Sequence, residues 1–171
     1  MFWSKTIIYL NCKIAIMNKY LKLIISLIIP QLAGGIGSLF TSPSISTWYA
    51  TIAKPSFNPP NWIFGPVWTT LFLLMGISLF IVWNEKSKLK KKAITVFGIQ
   101  LGLNTLWSIL FFGLHSPLTA FIEIIFLWAA ILLTIIYFYK ISKPAAYLLI
   151  PYILWVSFAA VLNISIVFLN I

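Results

Sequence analysis

From Trp62 to Trp83 the chain runs 22 residues without a charged side chain, enough helix at about 1.5 Å per residue to cross a hydrocarbon layer of about 30 Å. Just ahead of this run, Pro55, Pro59 and Pro60 each lack a donor N–H and push the preceding residue towards extended backbone. Pro66 falls in the first turn of the run, where a missing N–H costs little. The sequence therefore predicts a rigid, proline-set loop feeding a membrane-spanning helix, with Lys54 before it and Trp62, Phe64 and Trp68 near its start.

Four further apolar stretches repeat the pattern, giving spans at about 21–40, 62–84, 93–112, 118–139 and 145–168. The fold class this implies is an all-α integral membrane protein, a five-transmembrane-helix bundle in a lipid bilayer. Composition excludes a soluble globule: 61% of residues are apolar and 8% charged, where a soluble domain carries about a quarter charged. Gly113 to Pro117 is short enough to force the third and fourth spans into an antiparallel hairpin, Lys140 to Pro144 joins the fourth to the fifth, and Thr41 to Asn61 is the one long loop. Residues 1–18 read as an N-terminal extension or lead-in. Their apolar stretches are interrupted by Lys5, Asn11, Lys13 and Asn18 and lack the small-residue cleavage site of a signal peptide. Met17 offers an alternative start, which makes residues 1–16 an expected upstream extension and 19–171 a single membrane domain.

A net charge of +10 invites a nucleic-acid reading, but the lysines lie where a membrane topology puts them. Five fall in the segment 85–92 between two apolar runs. With the N-terminus cytoplasmic, Lys5, Lys13, Lys19, Lys22, those five, Lys140 and Lys143 all lie inside and only Lys54 outside, the asymmetry expected of cytoplasmic loops. The long loop, the Gly113–Pro117 hairpin and the C-terminus then face out. One cysteine, Cys12, and one histidine, His115, give no metal cluster and no intramolecular disulfide.

Two helix faces carry polar or small groups at membrane depth. Gln100, Asn104 and Trp107 are spaced i, i+4, i+7 and share one face of the third span. Trp155, Ala159 and Leu162 do the same on the fifth. Intramembrane amides are costly without partners, so the first face is expected to point into the bundle. On the residues alone, a ligand pocket and plain helix packing account for it equally well. Counting residues from the outer helix ends places Trp68 near the mouth of such a pocket and Trp155 deeper. Gly98 and Gly102 form a G-x-x-x-G pair on the opposite face of the third span, suited to close helix contact within the chain or with a second copy.

Three motifs in order, KPSFNPPNWIFGPVW with LLMGISLFIVW, QLGLNTLW running into FFGLHSP, and LIPYILWVSFA, resemble the TspO/MBR family of tryptophan-rich sensory and translocator proteins over about residues 19–165. The resemblance implies a five-helix cavity beneath the long loop that binds tetrapyrroles such as protoporphyrin IX or haem, with no further cofactor required, in a protein acting in their transport, sensing or removal. The positions matching that cavity are Trp48, Tyr49, Trp68, Asn104, Trp107, Trp155 and Ala159. A homodimer is implied as well, with Gly98 and Gly102 as its contact. Aromatic walls suit a flat apolar macrocycle, each stacked pair adding about 0.5–1.5 kcal/mol. Glu123 matches an acidic position that is usually Asp, and residues 161–166 lack the aromatic and basic pair of the sterol pattern found in animal members. His115 reads as a solvated turn residue rather than a haem ligand. Two other readings remain: light-dependent porphyrin breakdown with Trp68 and Trp155 as electron donors, and a regulatory membrane subunit without a ligand. No nucleophile–base pair supports catalysis in the dark.

Overall fold

Prolines and small residues decide where these helices bend and where they touch. The computed structural model describes the backbone of residues 2–171 and the side chains of residues 18–171; the reading of residues 1–18 as an extension concerns side chains that, up to residue 17, lie outside the described residues. The elements are α1 (Phe2–Ile45), a single turn α2 (Trp48–Thr51), α3 (Asn61–Asn84), α4 (Lys90–Ser108) continuing into a π-helical turn (Ile109–Gly113), α5 (Pro117–Tyr139), a short α6 (Lys143–Tyr147) and α7 (Ile150–Leu169). Among the described residues there is no strand, and five helices are long and apolar enough to cross a membrane: Asn18–Ile45, Asn61–Asn84, Lys90–Gly113, Pro117–Tyr139 and Lys143–Leu169.

The five expected spans are all present, with three boundary differences. The first helix runs past Pro43 to Ile45, so the long loop begins later than expected. A proline inside a helix removes one N–H, and here the loss falls where Pro43 is exposed and its own carbonyl accepts a bond from Thr47 Oγ1 at 2.8 Å. The third span ends in the π turn, where Leu114 N donates to Ile109 O at 2.8 Å and Ser116 N to Leu110 O at 3.1 Å. The last span is broken between α6 and α7 ahead of Pro151.

Around the bundle, α1 packs on α3 and α4, α4 on α5, α5 on α7, and α3 on α6. In lipid such packing is driven by close van der Waals fit rather than by the escape of apolar surface from water, so small residues sit at the crossings. Pro30 leaves the Ser26 carbonyl without its i+4 donor, and that oxygen lies against Gly76: a Cβ there would stand 2.8 Å from Ser26 O and 2.9 Å from Leu27 Cα. Ser78 Oγ donates to Ala145 O at 2.6 Å, tying α3 to α6. Towards the lysine-rich loop the interior is filled by Met75, Leu79, Phe97, Ile131 and Phe138. Towards the long loop the helices part, and a second, smaller core of Tyr49, Phe111, Ala120, Leu162 and Ile166 closes that end.

Candidate functional site

The parting helices leave a cavity of about 410 Å³ beneath the long loop, lined by α1, Tyr49 of α2, α3, α4 with its π turn, and α7. Its walls include Tyr49, Trp68, Asn104, Trp107, Trp155 and Ala159, six of the seven positions expected from sequence. Trp48 is the exception. As the first residue of a one-turn helix it points about 100° away from Tyr49, and its ring stacks on His115 at 4.6 Å and meets Phe111 edge-on at 5.5 Å. It packs the outer plug rather than the cavity wall. His115 closes the α4–α5 hairpin with φ +50°, faces Ser44 Oγ at 3.4 Å, and is likewise absent from the lining.

A buried polar chain fixes the third-span face. Tyr152 Oη donates to Gln100 Oε1 at 2.9 Å and accepts from Asn104 Nδ2 at 3.1 Å. Gln100, Asn104 and Tyr152 are all buried, which is where amides and a phenol repay their burial by bonding one another. Gln100 therefore serves the packing, whereas Asn104 reaches the cavity. One turn further out, Trp107 Nε1 donates to Asn163 Oδ1 at 3.1 Å, and Asn163 Nδ2 donates to Pro117 O at 2.7 Å. Asn163 thus holds the Trp107 ring against the wall and pins α5 to α7. Trp107 stacks on Phe111 with centroids 5.0 Å apart and planes at 19°. Neither Asn163 nor Tyr152 stood out in the sequence, although Asn163 lies four residues beyond Ala159 on the same face.

On α3, Trp68 stacks on Phe72 at 5.5 Å and meets Tyr152 edge-on at 6.2 Å, while Trp155 meets Phe64 edge-on at 6.0 Å. The expected depth order is therefore reversed: Trp155 reaches α3 one turn nearer the loop than Trp68 does. Counting from the end of α7 overestimates depth because that helix overhangs the bundle, and Asn170 beyond its end clasps the loop. Asn170 Oδ1 accepts from Ala53 N and its Nδ2 donates to Ala53 O, both at 2.9 Å.

The loop itself is held from within. Tyr49 Oη donates to Asn58 Oδ1 at 2.7 Å, Lys54 Nζ donates to Ile52 O at 2.9 Å, and the same ammonium lies 4.9 Å over the Tyr49 ring. Burial pushes the Tyr49 phenol up to about 12, against a smaller downward pull from the Asn58 bond. Glu123 on α5 is buried, and neither carboxyl oxygen has a hydrogen-bond partner among the described residues; it is not part of the lining. Gly98 and Gly102 are exposed on α4 with nothing within 4 Å of where a Cβ would stand, so no contact within the described chain occupies that face.

Comparison with known proteins adds to this geometry. The sequence model of the TspO/MBR family matches residues 26–169. The tryptophan-rich protein TspO of Archaeoglobus fulgidus is 49% identical over 150 residues, covering 88% of this chain and 97% of that protein. The human translocator protein is 37% identical over 137 residues, 78% of this chain and 81% of its own length. The tryptophan-rich sensory protein of Cereibacter sphaeroides is 32% identical over 123 residues, 72% and 77% of the two chains.

Proposed function

Because the chain belongs to the TspO/MBR family and is an integral, multi-pass membrane protein, we propose that its cavity binds tetrapyrroles, protoporphyrin IX or haem, or another planar apolar ligand. The protein then acts as a membrane receptor or translocator in their transport, sensing or removal, roles in keeping with the names translocator and sensory protein carried by its relatives. The observation that carries this reading is the cavity: about 410 Å³, with three tryptophans, Trp68, Trp107 and Trp155, and a single buried asparagine side, Asn104 with Asn163, among its walls. Its volume lies within the range of about 300–1,000 Å³ typical of small-molecule sites, which combine apolar walls with a few fixed polar groups.

The N-terminus is cytoplasmic and the C-terminus outside in this reading, supported by the lysine asymmetry, so the cavity lies in the outer half of the bilayer. A second copy docks at the exposed Gly98 and Gly102, where nothing but backbone limits approach. Titration with protoporphyrin IX, read as quenching of tryptophan fluorescence in darkness, tests the binding. Saturable quenching is expected, and its absence overturns the pocket. Loss of bound porphyrin on illumination would turn the reading towards photochemical breakdown.

A further inference from the structure

Among the described residues, the exposed part of the cavity lining falls on one side. Of its lining residues, those from α2, α4, the π turn and α7 are buried or half-buried, and every exposed one belongs to α1 or α3. On α1 these are Gln31, Gly35, Ser38 and Ser42; on α3 they are Asn61, Gly65 and Thr69. Spacings of i, i+4, i+7, i+11 and i, i+4, i+8 make each set a straight ridge along its helix, so the two sets border a lengthwise seam of about 16 Å. Alongside the seam, from residue 31 to 42, the other exposed residues of α1 are Leu32, Ile36, Leu39 and Phe40, large and apolar as a lipid-facing surface should be. On this stretch of α1 the exposed small and polar groups all lie on the seam.

Two features bound the seam below. Gln31 Nε2 donates to Thr69 O at 3.2 Å across its inner end, and Gly34 lies against the Phe72 ring. Packing explains Gly34, and it explains Gly37, whose added Cβ would meet Ser108 Oγ at 3.0 Å. It does not explain Gly35 or Gly65, where an added Cβ would meet nothing within 4 Å. Glycine is unfavourable inside a helix by about 0.5–1 kcal/mol relative to alanine, so two glycines on the seam without a packing role point to the space itself.

We propose that the seam between α1 and α3 is a port through which a planar ligand with a polar edge passes sideways between the bilayer and the cavity, and that Gly35 and Gly65 keep it open. The inference rests on the cavity being a ligand site. A flat apolar body slides between the two ridges onto Trp68, while the ligand's polar edge exchanges contacts along the hydroxyl and amide groups of the seam. Ser38 Oγ donates to Gly35 O at 2.7 Å and Thr69 Oγ1 to Gly65 O at 2.9 Å, which leaves their oxygen lone pairs to accept from a passing group.

The test uses protoporphyrin IX with the full chain in lipid nanodiscs, read by stopped-flow tryptophan quenching. Gly35→Leu and Gly65→Leu place a side chain in open space, so folding is retained, which circular dichroism checks. Each is expected to slow association and dissociation together by about tenfold, a larger effect than any change the added side chain makes to Kd. Asn170→Ala, which releases the loop clasp, is expected to leave both rates unchanged. Wild-type rates in both glycine variants, with faster exchange in Asn170→Ala, would overturn the port and put the way in beneath the loop. Failure of the wild type to bind overturns the pocket reading instead, and the port falls with it.

Discussion

Trp68 and Trp155 both line the cavity, and each meets a neighbouring ring edge-on, so replacing either with phenylalanine keeps an apolar wall. Binding of protoporphyrin IX should weaken by about tenfold or less, the worth of one stacking contact. Fluorescence titration of each variant checks this, and a loss beyond a hundredfold would mean that the indoles do more than stack. Phenylalanine is far harder to oxidise, so any light-driven loss of bound porphyrin should fall much more than affinity. Equal loss from the double variant at matched occupancy would remove the tryptophans from such chemistry. Six of the seven cavity positions were legible through the family resemblance; helical periodicity put Asn104 with Trp107 and Trp155 with Ala159 on shared faces, but by itself it left a pocket and plain packing equally open. Trp48 was misplaced because a one-turn helix sends consecutive side chains in different directions. The partners Asn163 and Tyr152 were missed because a hydrogen bond across helices has no local spacing to betray it.

At the scale of single elements, the loop and the α1–α3 crossing make separate predictions. The folded loop holds the Tyr49 proton more tightly than an unfolded chain does, since burial raises its pKa from 10.0 to about 12. That contribution is fully present below about pH 10 and is lost as the pH rises through about 12. The difference in phenolate absorbance between wild type and Tyr49→Phe should therefore titrate near pH 12; a midpoint near 10 would contradict the burial. The same substitution removes the bond to Asn58, at a cost of about 1 kcal/mol. At the crossing, Gly76→Ala sets a Cβ 2.8 Å from a backbone oxygen, and overpacking of this kind costs about 1–3 kcal/mol. Thermal unfolding in detergent should show a clear drop, whereas Gly35→Ala, with open space at its Cβ, should not. The element order was legible from charge-free runs and prolines. The extension of α1 past Pro43 and the break before α7 were not, because both depend on which carbonyls find partners elsewhere.

For the whole molecule, the proposed orientation and the proposed second copy both concern surfaces that face away from the cavity. In a Cys12→Ser background, an impermeant thiol reagent added to intact cells should label Ser56→Cys and spare Lys88→Cys; labelling of Lys88→Cys from outside would invert the proposed orientation. The same independence applies to assembly. Gly98 and Gly102 lie on the outer surface of α4, with open space for 4 Å around the place a Cβ would take, while Gln100 and Asn104 on the same helix are buried towards Tyr152. Replacing both glycines with leucine keeps helix propensity high and adds bulk only where a second copy would approach. The double variant should therefore run as a monomer in detergent crosslinking and still quench with protoporphyrin IX at close to wild-type affinity. An unchanged dimer would move the interface off this face. Loss of binding along with loss of the dimer would mean that the second subunit shapes the cavity, which the separation of the two faces on α4 argues against.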